Sequence, residues 1–323
     1  MKLFVIGGTG YIGSVVCERL LADGHELRGL ARSDESAAQL SEAGIEPVRG
    51  ALGDVDVLRA EGIAADGVVQ IATGGFLTQA LETVSEAALT TDTILQALAG
   101  TEKPYLVTGG TGGWLDTGLA WPERVVTEAD PMTPPYFYKH FQEITEKILS
   151  ATDVRTIMVA PGQLYGRRGG YIGPIARLFN GVRAHGVVHA VNYDNACTFV
   201  HVDDLADLYA LVLQTPSARG LYFAATDTVP AVEVAKAVSV AAGLGGELKM
   251  VDHLTMRALN GRVGEMDFIC NCRASSAKAQ QELGWRPHRP GVVEDLAALP
   301  RPLDLHSVYP EPKRQAAAAL LKF

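Results

Sequence analysis

The chain has 323 residues, 47% of them hydrophobic, and its 28 basic and 37 acidic residues give a formal charge of −9. Length and apolar content suffice for a large core and exclude disorder, while the lack of a dense basic run argues against nucleic acid or an anionic membrane as partner. No window approaches the roughly 20 apolar residues of a spanning helix and the opening run lacks a signal peptide's cleavage site, so a cytoplasmic protein is expected.

The first stretch organises the rest. Residues 2–6 form a five-residue apolar run that breaks into Gly7, Gly8, Gly10 and Gly13 and then becomes helical, with apolar residues at helical spacing to Ala22. A strand, a tight turn and a helix N-terminus in this order make a pyrophosphate site, because the helix end offers free backbone N–H groups and a positive potential. Gly7 allows the turn, Gly10 the approach of phosphate, and Gly13 the packing of helix on strand. Thr9, Tyr11 and Ile12 complete this expected cofactor contact.

A second strand is expected at 26–31. An acidic residue at such a strand end binds an adenosine ribose 2′-hydroxyl, whereas an Arg accommodates a 2′-phosphate. Leu30 and Ala31 supply no carboxylate, and Arg32 and Ser33 follow, so NADP(H) is expected over NAD(H), with Asp34 and Glu35 as nearby rivals. A helix over 33–43, a strand within 44–49 and the loop holding Leu52 come next. A fourth strand at 67–72 ends in Ala72 and Thr73, small enough to let an adenine or ribose lie against it. A long helix over 77–98 and a fifth strand at 104–108 complete a pattern that requires a parallel, doubly wound α/β sheet with right-handed crossovers.

Gly109, Gly110, Gly112 and Gly113 open a second glycine-rich mouth after the fifth strand. A helix is expected over 136–149 and a sixth strand over 154–160, ending at Gly162 and Gln163, with Gln163 a nicotinamide neighbour. Beyond it lie an irregular stretch, a short helix over 172–180, a return of the chain to the sheet at 197–202, a helix over 203–214, a strand over 220–225, and then a smaller lobe with a strand at 247–251 and a helix at 275–283. The expected division is a dinucleotide-binding domain of 1–166 plus about 196–225, and a substrate lobe of about 167–195 plus 226–323. Cys17, Cys197, Cys270 and Cys272 fit packing in a reducing compartment, and no metal site is expected. His201 is expected to hold the returning strand while Asp203 caps the next helix. Arg167, Arg168, Arg183 and Arg262 are candidates for binding an anionic substrate group, and Trp114 and Tyr165 for lining an aromatic pocket.

Five motifs together resemble the extended short-chain dehydrogenase/reductase family, of the epimerase/dehydratase-like type, over about residues 1–300. They are Gly7-x-x-Gly10-x-x-Gly13, the tyrosine helix after the fifth strand, the stretch 155–166 ending in Pro-x-x-x-Tyr-Gly, Phe199-Val-His-Val-Asp-Asp204, and Leu283-Gly-Trp-Arg-Pro287. The resemblance implies a nicotinamide cofactor, a small-molecule substrate and a homodimer built on the helices at 77–98 and 138–149. It also implies a Ser or Thr with a Tyr-x-x-x-Lys pair, whose i, i+4 spacing puts both side chains on one helix face. Anchoring the helix at Glu146-Lys-Ile-Leu149 puts Tyr138 on the tyrosine and Gln142 on the lysine. The competing register, with Lys139 on the lysine, puts Pro135 on the tyrosine. The hydroxyl falls near Gly110, where Thr108 and Thr111 are the candidates.

Gln142 hydrogen-bonds a ribose but carries no charge. A phenol of ordinary pKa, about 10, is a usable acid and a poor base near pH 7, so reduction of a carbonyl or related group is expected over alcohol oxidation. Two alternatives remain open here: an epimerase or dehydratase that uses its dinucleotide without net redox, and a non-catalytic dinucleotide sensor.

Overall fold

The computed structural model describes residues 1–72, 81–114, 123–133, 139–167, 173–301 and 303–304, without the side chains of 81–84, 139–140 and 262–266. Thr73, Tyr138 and Arg168 lie outside the described residues, as does the side chain of Arg262. The first half alternates as expected: β1 (Lys2–Ile6), α1 (Tyr11–Ala22), β2 (Glu26–Ala31), α2 (Asp34–Glu42), β3 (Glu46–Arg49), α3 (Val55–Ala64), β4 (Gly67–Gln70), α4 (Leu81–Leu98) and β5 (Thr101–Thr108). A 3-10 turn (Thr111–Trp114), β6 (Val125–Val126), α5 (Lys139–Ser150), β7 (Val154–Pro161) and β8 (Gln163–Tyr165) follow. The second half holds α6 (Gly173–His185), β9 (His189–Val191), β10 (Ala196–His201), α7 (Val202–Gln214), β11 (Gly220–Ala224), β12 (Asp227–Pro230), α8 (Ala231–Ala241), β13 (Lys249–Val251), α9 (His253–Ile269), β14 (Arg273–Ala274), α10 (Ala277–Leu283) and α11 (Val292–Ala297).

Seven strands form one parallel sheet in the order β3-β2-β1-β4-β5-β7-β11. Strands buried on both faces read as continuous apolar runs, and β1 from Leu3 to Ile6 is at most 1% exposed. The strand order reverses at β1, so the crevice between the C-terminal ends of β1 and β4 is the topological switch point where such sheets bind ligands.

One expected element finds a different partner. The run at 197–202 does not return to this sheet: β10 pairs with β8 in parallel and with β12 antiparallel, in a separate three-stranded sheet. The edge of β7 is taken by β11. Both runs are mostly apolar and almost wholly buried, and apolarity identifies a strand without identifying its neighbour. Gly162 sits where β7 passes into β8; its N–H donates to the Ala224 carbonyl at 2.9 Å, and a Cβ there would lie 2.4 Å from the Thr198 carbonyl oxygen. A second apolar core gathers residues of α6, α8, α9, α11 and β9, among them Phe179, Val188, Val238, Met256 and Leu296.

Two buried charges tie this framework together. Arg155, 7% exposed on β7, donates to the carbonyls of Val212, Thr215 and Ala218, which closes the C-terminal end of α7. Asp204, 1% exposed near the start of α7, accepts from the backbone N–H groups of His288 (3.1 Å) and Arg289 (3.2 Å), and its own carbonyl accepts the Trp285 indole N–H at 2.9 Å. The segment after α10 is thereby latched to α7. Removing the carboxylate leaves two part-buried donors without their acceptor, so Asp204→Ala is expected to lower unfolding free energy by about 1 to 3 kcal/mol in urea denaturation, whereas truncating the exposed Leu254 is expected to change it by less than about 0.5 kcal/mol.

Candidate functional site

The glycine turn is built by two close approaches. Gly7 has φ +97°, and a Cβ on it would lie 2.6 Å from the backbone N of Ala72. A Cβ on Gly13 would lie 1.9 Å from the Gly7 carbonyl oxygen, so only glycine lets α1 press against the end of β1. Gly10 is different: it is exposed, and the nearest atom to a Cβ there is 3.5 Å away. It is the N-cap of α1, supplies no capping side chain, and is followed by a first turn with no acidic residue. The leading N–H groups of a helix have no intrahelical acceptor, and here no side chain takes their place.

Beside the glycine turn lies a cavity of about 860 Å³ lined by Gly7, Thr9, Arg32, Ser33, Leu52 and Ala72, whereas Gly10, Tyr11, Ile12 and Gly13 do not line it. These six come from four separate loops at the C-terminal edge of the sheet, and all six are residues the sequence singled out. Ser33 caps α2 through a reciprocal pair with Ser36, its hydroxyl accepting the Ser36 N–H at 3.1 Å. Arg32 is exposed and forms no ion pair among the described residues, while Asp34 pairs with Arg49 at 3.2 Å. Glu35 also lines the cavity, as does Glu86 of α4, which sequence reasoning missed because only the crossover of α4 brings it there.

A second cavity of about 280 Å³ lies between the ends of β4 and β5 and the helices α4 and α5, and Ile71 lines both cavities. It unites Ile12, Thr108 and Gln142 from the sequence-derived set with Trp114. Thr108 is 5% exposed and its hydroxyl is hydrogen-bonded to the phenol of Tyr209 on α7; full burial holds that phenol above its usual range. Thr111 is buried in the 3-10 turn and does not line the cavity; its carbonyl accepts the Cys272 thiol at 3.4 Å. Gln142 is half-buried, and its amide donates to Glu146 at 2.7 Å, one turn along α5.

Other candidates have structural duties. The Tyr11 phenol, pushed up by burial, donates to the Gly166 carbonyl at 2.7 Å, and Tyr11 lines neither cavity. Gly162 and Gln163 line neither cavity; Gln163 lies on β8 against Gly173, where a Cβ would meet its side-chain oxygen at 2.4 Å. The expected roles of His201 and Asp203 are corrected: His201 is the N-cap of α7, its Nδ1 accepting the Asp203 N–H at 3.2 Å, and burial lowers its pKa in keeping with that neutral acceptor role. Asp203 instead pairs with Arg167, which also pairs with Glu18 at 2.6 Å. The expectation that Arg167 serves a substrate anion is therefore corrected, since two carboxylates already hold it. Arg183 donates to Asn180 at 3.0 Å. Tyr165 packs edge-on against Phe199 and His201, away from both cavities.

A family model described as the NAD dependent epimerase/dehydratase family matches residues 3–222. The chain belongs to this family. An uncharacterized protein of Schizosaccharomyces pombe is 30% identical over 303 residues, 92% of this chain and 99% of its own length. A 4-hydroxy-2-methyl-3-oxo-4-farnesyl-3,4-dihydroquinoline-1-oxide ketoreductase of Stigmatella aurantiaca is 33% identical over 136 residues, 41% of this chain and 39% of that one. The crystal structure of the human epimerase family protein SDR39U1 with NADPH has the same fold, with a TM-score of 0.69 at 19% identity over 92% of this chain and 98% of that one.

For a member of the NAD dependent epimerase/dehydratase family, the turn geometry separates two glycines that a motif treats alike. Gly13→Ala forces the turn off β1 and is expected to lower stability by about 1 to 3 kcal/mol in chemical denaturation. Gly10→Ala adds a methyl to open space and is expected to cost under about 1 kcal/mol.

Proposed function

We propose that the protein is an NADP(H)-dependent reductase that converts a carbonyl or related group on a small organic metabolite. The observation that carries this reading is the convergence of Gly7 and Thr9 of the glycine turn with Arg32 and Ser33 on one 860 Å³ cavity. The pyrophosphate is assigned to the N–H groups that follow Gly10, and the adenosine 2′-phosphate to Arg32 with the Ser33 hydroxyl. Asp34, the nearby residue that would favour a bare 2′-hydroxyl, is engaged by Arg49. A relative named as a ketoreductase and a fold neighbour crystallised with NADPH support the same reading.

The bound nicotinamide supplies hydride to the carbonyl carbon. Tyr138 is assigned the proton that the carbonyl oxygen takes up, and Gln142 a neutral hydrogen bond where a lysine would bring charge. Without a cation to stabilise the phenolate, the phenol is suited to give a proton and ill suited to take one near pH 7. Thr108 presents its hydroxyl at the mouth of the smaller cavity, oriented by Tyr209.

Fluorescence titration is expected to give a Kd for NADPH at least tenfold below that for NADH, with Arg32→Glu reversing the order; equal affinities would sink the cofactor assignment. With a turned-over substrate, Tyr138→Phe is expected to lower kcat by about 10² to 10⁴. Gln142→Lys is expected to raise the rate of the reverse, oxidising direction more than that of reduction, and an unchanged ratio would remove Gln142 from the proton chemistry.

A further inference from the structure

The smaller cavity sits where a substrate would meet the cofactor, because Ile71 lines both spaces and Thr108 and Gln142 reach the smaller one. Its chemistry is one-sided. Among its described lining residues no Asp, Glu, Lys, Arg or His occurs, and Ile71, Val107, Trp114, Met132 and Phe141 supply most of its wall. A diphosphate or carboxylate placed there would lose its water without gaining a counter-charge, a cost of several kcal/mol per ion. The described arginines nearest in sequence to the lining offer no remedy: Arg155 is spent on the carbonyls of Val212, Thr215 and Ala218, and Arg124 pairs with Asp130 at 3.4 Å.

Size narrows the occupant further. An apolar cavity of about 150 Å³ admits one benzene ring, so 280 Å³ takes a ring with substituents. The inner end is not wholly apolar. Thr91 of α4, 1% exposed, lines the cavity with a hydroxyl oxygen that makes no hydrogen bond of standard geometry among the described residues, although it lies close enough to the Tyr105 phenol to favour that phenol's ionised form. Beside it Gln70, 2% exposed, uses its carbonyl oxygen to accept the Tyr105 phenol at 2.5 Å. A buried hydroxyl left unpaired in a cavity wall is suited to a ligand group.

We propose that this chamber seats the substrate and that the substrate is an uncharged, ring-sized carbonyl compound carrying a hydrogen-bonding group at its inner end against Thr91, rather than a nucleotide sugar. The proposal rests on the reductase reading above. In the balanced step the carbonyl carbon gains hydride from NADPH, the oxygen gains the Tyr138 proton, and the products are an alcohol and NADP⁺, with the phenol reprotonated from solvent. Ala87, 3% exposed on α4, is a small residue that lines the chamber and not the larger cavity, and a large side chain there fills the chamber.

The test has two stages, so the reductase reading and the substrate class fail separately. NADPH binding is measured first; its absence overturns the reading on which the proposal stands. NADPH oxidation is then followed with acetophenone, 4-hydroxyacetophenone and pyruvate, turnover of UDP-glucose, which has no free carbonyl to oxidise NADPH, is followed as its loss by chromatography, and binding of each compound to the NADP⁺-loaded protein is measured by calorimetry. The aryl ketones are expected to bind and turn over, and pyruvate and UDP-glucose to do neither. Ala87→Phe is expected to raise the aryl-ketone KM at least tenfold with NADPH affinity within twofold of wild type. Thr91→Val, nearly isosteric and carrying the test if Ala87→Phe does not fold, is expected to weaken 4-hydroxyacetophenone about tenfold and leave acetophenone unchanged. Intact NADPH binding with no aryl-ketone binding, with turnover of UDP-glucose, or with unchanged constants in both variants would overturn the proposal.

Discussion

The contact on which the rest depends is that of Gly13 with the carbonyl of Gly7. Because the two residues meet with no Cβ between them, α1 starts directly at the end of β1, and its N–H groups face the crevice where the strand order reverses. Every other cofactor-side feature takes its position from that start: the β2 end that brings Arg32 and Ser33, the β4 end at Ala72 that abuts Gly7, and the cavity among them. A larger residue at 13 would move the helix and misalign all three loops.

Much of this was legible in sequence because the signals are local. Apolar runs of strand length, glycines at a strand-to-helix switch and the lack of a carboxylate at the end of β2 are properties of short windows, and the first five strands and six of the cavity residues follow from them. What escaped depends on which segments meet in space. The partner of β10 was misassigned because two buried apolar strands look alike in sequence. Glu86, Ala87 and Thr91 carry no motif, and only the packing of α4 beside β4 and β5 brings them to the two cavities. The helices α3 and α9 were missed too, the latter interrupted by Gly261 at φ +70°, and the two-residue strands β6 and β14 leave almost no periodicity to read.

The distribution of charge separates scaffold from site. The ionic groups of the second half, buried Arg155 and Asp204, half-buried Arg177 and exposed Arg167, are held by helix-end carbonyls, loop N–H groups or carboxylates. Arg32, exposed at the rim of the larger cavity, has no such duty among the described residues. The smaller cavity contrasts with that rim, since its described lining holds threonines and glutamines but no charged side chain.

The passage of the chain from β7 through Gly162 into β8 has a mechanical consequence. One nearly continuous stretch of backbone, from Val154 to Tyr165, serves as a strand in the seven-stranded sheet and then in the three-stranded one. A single residue, Gly162, separates the two strands, so the two sheets are coupled through backbone rather than through a long linker. A side chain at 162 would meet the Thr198 carbonyl, so the bend that couples the sheets holds only with glycine there.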